Sequence, residues 1–86
     1  MQTATAPTEE RETMALKKLV NLMGQERGYA FYLEVLDLIG LKGLATPNDS
    51  VAFGEELISR GGVLASIGRS IKIQAILHGA TASRSA

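Results

Sequence analysis

The stretch "LISRGGVLASIG", residues 57–68, holds Gly61, Gly62 and Gly68 inside an otherwise helical pattern, and its reading decides the fold. Two seams can be drawn across residues 51–78 if a helix runs through them. One is large: Phe53, Leu57, Arg60, Leu64, Ile67 and Ile71 alternate at four- and three-residue spacing, which keeps them on one side of a helix. The other, one position over, is mostly small: Val51, Gly54, Ile58, Gly61, Ala65 and Gly68, with glycines every seven residues. Small residues in register let a second backbone approach closely, a geometry best known from membrane helices that holds equally in water. Against it, each interior glycine disfavours helix by about 1 kcal/mol relative to alanine. Two readings follow. In the leading one a continuous or gently kinked helix over 47–78 lays its small seam on another helix, of this chain or of a neighbouring copy. In the other, Gly61-Gly62 is a plain turn between helices 47–60 and 63–78.

Upstream, Thr46, Pro47 and Asp49 have the layout of a helix start: a hydroxyl cap, proline at the first helical position and an acid three residues after the cap. The preceding "GLKGLA", residues 40–45, is a loop whose Leu41 and Leu44 can tuck under the helices. Before it, residues 26–39 form a helix closed by Gly40. Tyr29, Tyr32, Leu33, Leu36 and Ile39 share one face of it, and Phe31, Val35 and Leu38 make much of the rest apolar, so it is expected at the centre of the domain or under a neighbouring subunit. A first helix over 8–23 begins at Thr8 as N-cap, with Glu9 and Glu10 suiting the positive end of the dipole. Its apolar stripe is Leu16, Leu19, Val20 and Met23, and Gly24 stops it. "SIKIQAIL" has β-branched content, but no second strand exists for it to pair with, so it reads as helix. The fold class is therefore all-α, with three main helices in a single domain over 8–78 and polar tails at 1–7 and 79–86.

A chain of 86 residues buries only about 60% of the surface its unfolded form exposes, so its core is marginal and a partner surface would help it. The chain has no cysteine, which excludes disulfides, thiolate metal sites and thiol catalysis. "MQTATAPTEE" lacks the layout of a secretory signal, no apolar run reaches the length of a membrane span, and a soluble, intracellular protein is expected. The net charge of zero conceals an asymmetry: all nine acids lie at or before Glu56, whereas residues 60–86 carry Arg60, Arg69, Lys72 and Arg84 and no acid. Four charges spread over 27 residues read first as ordinary solvated side chains; the other reading is that such a dipolar chain stacks head to tail or rests its C-terminal end on an acidic surface.

No residue set announces a reaction, and neither catalytic nor cofactor-binding nor metal-ligating residues are assigned. The single histidine, His78, stands at the end of the last helix, where it caps carbonyls and suits the dipole. Glu9-Glu10-Glu12 and Glu55-Glu56 fall in or near first turns, where acids are expected on electrostatic grounds. "GQERG" and "GLKG" lack the context and the Lys-Ser/Thr ending of a phosphate loop. The last segment offers only Arg69, Lys72 and Arg84, and the pI is near 6.6, so nucleic acid is not an expected partner. Arg60, between Leu57 and Leu64, has its stem packed and its head in water at the seam's rim, with Glu56 one turn back as its candidate partner; an intersubunit ion pair is the other reading.

"GYAFYLEVLDLIGL" followed by "DSVAFGEELISRGGVLASI" resembles, in layout, a family of small, poorly characterised helical proteins of short-tailed bacteriophages. The matching positions are Phe31, Leu33, Leu36, Gly40, Ala52, Phe53, Glu55, Gly61 and Leu64, within about 40 of the 86 residues. The sequence departs from that family where paired arginines follow the Glu-Gly step, offering Leu57, Ile58 and Arg60. The resemblance implies a small phage protein, a virion component made in the host cytoplasm, with no known catalysis. The expected function is assembly by helix packing against copies of itself or a larger virion protein, through Gly54, Ile58, Gly61, Ala65 and Gly68 for the close contact, Phe53, Leu57, Leu64 and Ile67 for the apolar anchor, and Arg60 at the rim. A small regulatory binding module, a host-factor inhibitor or transcription adaptor, is the alternative.

Overall fold

The computed structural model describes residues 7–79, which form four α-helices and no strand: α1 (Pro7–Met23), α2 (Gln25–Leu38), α3 (Pro47–Ser59) and α4 (Gly62–Leu77). The polar tails expected at 1–7 and 79–86 fall outside the described residues, apart from Pro7, which opens α1, and Gly79, which follows α4. The expected third helix is two. Gly61 has φ 76 and ψ 179, a region open only to glycine, and Gly62 has φ 61, so the chain reverses there instead of running straight.

The fold is two helical hairpins, α1–α2 and α3–α4, the first turned by one positive-φ glycine, Gly24, and the second by two, Gly61 and Gly62. Gly24, with φ 92 and ψ 168, closes α1 by donating to the Val20 carbonyl at 2.8 Å and opens α2 by accepting from Gly28 N–H at 2.8 Å. Gly61 repeats the device: its N–H donates to Ile58 and its carbonyl accepts from Ala65, both at 3.1 Å. The end of α2 is a left-handed cap at Gly40 (φ 78), as expected. Leu41 N–H bonds the Leu36 carbonyl at 2.9 Å and Gly40 N–H bonds that of Asp37 at 3.1 Å, the two bonds of a Schellman motif. The start of α3 is also as expected, with Thr46 and Asp49 capping one another at 3.1 Å and Pro47 at the first helical position. Thr8 is a correction: α1 begins one residue earlier, and the Thr8 hydroxyl donates to the Ala45 carbonyl instead of capping.

The hairpins close on a shared core. Phe53, Leu19, Leu44, Leu57, Ile71 and Val35 have no exposed surface of consequence, and the Tyr32 and Phe53 rings meet across the interface with centroids 5.5 Å apart. The loop between the hairpins is held by α1: Glu12 accepts from Leu44 N–H at 2.9 Å, and Arg11 Nε donates to the Leu44 carbonyl at 2.9 Å. Leu44 is therefore buried with its backbone satisfied on both sides. One group is left over. Ser50 is 1% exposed and its hydroxyl has no partner, a desolvation cost with no hydrogen bond to offset it. Ser50→Ala is expected to raise stability by about 1 kcal/mol, read as a higher urea midpoint; a lower midpoint would mean that the hydroxyl is bonded after all.

The α2 helix is less central than its composition suggests. Tyr32, Val35 and Leu36 are buried, but Tyr29 (51% exposed), Leu33 (45%) and Leu38 face outward. The reason is that α2 contacts mainly α1, so only one of its apolar faces is covered within the chain.

Candidate interaction surfaces

The glycine seam exists, and it is closed within the chain. Gly54 and Gly68 are equidistant from the turn at Gly61, so reversing the chain there lays one on the other. A Cβ on Gly54 would stand 2.7 Å from the Gly68 carbonyl oxygen, and a Cβ on Gly68 would stand 2.9 Å from Ile58 N and overlap the Gly54 carbonyl. The two backbones are in direct contact, which is what a seam of small residues permits. Of the remaining expected interaction residues, Phe53 and Leu57 are wholly buried in the core, Ala65 is buried, and Leu64 and Ile67 pack partly against that core. Ile58 is half-buried. Gly61 is exposed, with nothing within 4 Å of an added Cβ, so it serves the turn and not a close contact.

Arg60 is the C-cap of α3, at the rim as expected. Its guanidinium meets Glu56 at 3.1 Å and lies over the Phe31 ring, 5.0 Å from the centroid. The ring contact ties the end of α3 to α2, since a cation is attracted to the negative face of an aromatic ring. Lys72 and Glu55 form a second pair between α4 and α3, 3.1 Å apart. His78 is the C-cap of α4, and it lines a cavity of about 400 Å³ with Glu10, Arg11 and Met14. Among the described residues no group of three or more His, Asp or Glu side chains converges as a metal site.

Two surfaces that group exposed apolar side chains stand out among the described residues. The first is a groove of about 480 Å³ between α1 and α2, walled by Leu16, Tyr29, Leu33 and Leu36 and rimmed by Glu9, Glu12 and Lys42. Tyr32 closes its floor, and burial first, then the charge of Glu12 and the neighbouring Tyr29, push the Tyr32 hydroxyl up to about 12 from 10.0. A phenol that ionises at 10 in the unfolded chain but stays neutral to about 12 in the folded one adds stability below pH 10 that is lost as pH rises to about 12. The urea midpoint should therefore fall over that window more steeply in this chain than in Tyr32→Phe; equal slopes would contradict it.

The second surface is the outer face of α4, where Ile73 (58% exposed), Ile76 (41%) and Leu77 (72%) stand at helical spacing. The sequence shows that both surfaces are apolar but not that they are uncovered. Tyr29 and Leu33 lie on the helix expected at the centre of the domain or under a neighbouring subunit, and the pattern does not choose between the two; within the chain they are exposed. Gly28 is the close contact of the first hairpin: an added Cβ would lie 2.7 Å from Val20 Cα. Its spacing of four from Gly24 was the available signal.

No helix among the described residues is long and apolar enough to cross a membrane. Comparison with protein-family models, with curated proteins and with solved structures finds no match.

Proposed function

We propose that this chain is a small assembly protein, a phage virion component made in the host cytoplasm, that works by packing exposed helix faces against copies of itself or a larger virion protein. The observation that carries the reading is the pair of uncovered apolar surfaces, the α1–α2 groove and the α4 face, on a chain whose own core is already closed. Large exposed apolar groups placed together on a small protein commonly mark contact sites. The resemblance of residues 28–41 and 49–67 to small proteins of short-tailed phages supplies the virion setting. No cofactor, catalysis or nucleic-acid contact is part of the reading. It differs from the seam first drawn on the sequence in one respect: Gly54 and Gly68 build the protomer, and the contacts outward fall to Tyr29 and Leu33 on one hairpin and Ile73, Ile76 and Leu77 on the other.

The groove also favours a second reading, a regulatory module that takes one peptide of a host factor or transcription protein and is otherwise monomeric. Native mass spectrometry of the purified chain over a hundredfold range of concentration, with mass analysis of purified particles, separates the two. Self-association, or the chain in fixed stoichiometry in particles, is the expected result; a monomer at every concentration that is absent from particles contradicts the assembly reading.

A further inference from the structure

We infer that copies of this chain associate head to tail, the exposed face of α4 in one copy seating in the α1–α2 groove of the next. The inference rests on the assembly reading and names its partner as a second copy of the same chain.

Three observations point to this pairing. The first is charge. The helix α4 contains no acid, and Lys72 is paired with Glu55 of α3, which leaves Arg69 as the cation beside the Ile73–Leu77 face with no ion-pair partner among the described residues. The groove rim carries Glu9 and Glu12 against Lys42, a net negative edge, and Glu9 has no partner among the described residues. The second is length. From Arg69 to Leu77 is a rise of about 12 Å, and the groove wall from Glu9 to Leu16 spans about 10 Å, at 1.5 Å per helical residue.

The third is what symmetric pairings would do. Face to face, two α4 helices set Arg69 against its own copy or against Leu77, with no carboxylate on either helix to receive it. Groove to groove, the two net negative rims, each Glu9 and Glu12 against one Lys42, face one another while Arg69 of both copies stays unpaired. Only the heterologous contact places the free cation beside the unpartnered carboxylate of Glu9, with Glu12, already bonded to Leu44 N–H, adding negative charge to the same rim, and covers both surfaces at once. A heterologous contact uses a different patch on each partner, so every joined copy still offers one groove and one α4 face, and assembly continues into a ring or filament.

The test uses sedimentation velocity of the full chain and of two variants at exposed positions, Ile76→Asp and Leu33→Asp, with circular dichroism to verify folding. The unaltered chain is expected to grow past a dimer as concentration rises, and each variant alone to stay monomeric. Mixed in equal amounts, the two should form a heterodimer and stop, because the Leu33→Asp copy keeps its α4 face and the Ile76→Asp copy keeps its groove. A mixture that stays monomeric, or association that survives either variant, overturns the inference. A closed dimer lost only in Ile76→Asp overturns it while leaving self-assembly standing; an unaltered chain that is monomeric throughout overturns it together with self-assembly.

Discussion

Gly68→Ala should lower stability by about 2 kcal/mol even after the helix-propensity gain of alanine over glycine, about 1 kcal/mol, is credited. The new Cβ would stand 2.9 Å from both Ile58 N and Leu57 Cβ and overlap the Gly54 carbonyl. Two of these neighbours are backbone of α3, which cannot swing aside as a flexible side chain can, so α3 and α4 must separate. That separation loosens Phe53, Leu57 and Ile71, which have no exposed surface. For a domain of this size a loss of 2 kcal/mol corresponds to a fall in Tm of about 8–16 °C, read by thermal circular dichroism. A variant as stable as the parent would mean that the helices do not touch at Gly68. Gly61→Ala is a useful contrast, because its cost comes from a positive φ with open space around it and leaves the helix contact intact.

Phe53→Ala is expected to cost more, about 3–5 kcal/mol, through lost apolar transfer and the cavity left behind. Phe53 is among the largest wholly buried side chains, and its ring meets Tyr32 of α2, so it joins the two hairpins. A domain of this size has a total stability of about 4–13 kcal/mol, so the variant should lose about a quarter or more of it and is largely unfolded where the parent lies at the low end. Phe53→Leu, which keeps most of the apolar volume, should lose markedly less. Urea midpoints of the two variants measure this; equal midpoints would show that the ring is not a packed element of the interface.

Local signals were legible in the sequence. Gly24, Gly40 and the Thr46–Asp49 capping box lie where the pattern put them, because each depends on a few adjacent residues and a short-range hydrogen bond. What the pattern could not decide was topology around Gly61. Glycines at 54, 61 and 68 fit a straight helix with one small face, and they equally fit a hairpin, in which the middle glycine turns the chain and the outer two meet. Periodicity is the same in both. The deciding term is the free energy of closing α3 on α4 within one chain, which covers the seam without a partner.

The loop was legible in part: Leu41 and Leu44 tuck under the helices as expected, but what holds them there was not. Glu12 and Arg11 hold Leu44 across more than 30 residues of sequence, and a side chain bonding a remote backbone leaves no periodic trace. The candidate surfaces were half legible: Tyr29, Leu33, Ile73 and Ile76 are visibly apolar, but their exposure follows only once the hairpins are assembled.

Thermal unfolding of Gly68→Ala and its parent, both in an Ile76→Asp background chosen to weaken association through α4, should be compared over a hundredfold range of concentration. If Gly54 and Gly68 meet inside one chain, the loss in Tm is the same at every concentration. A loss that shrinks toward zero on dilution would place that contact between copies and contradict the hairpin.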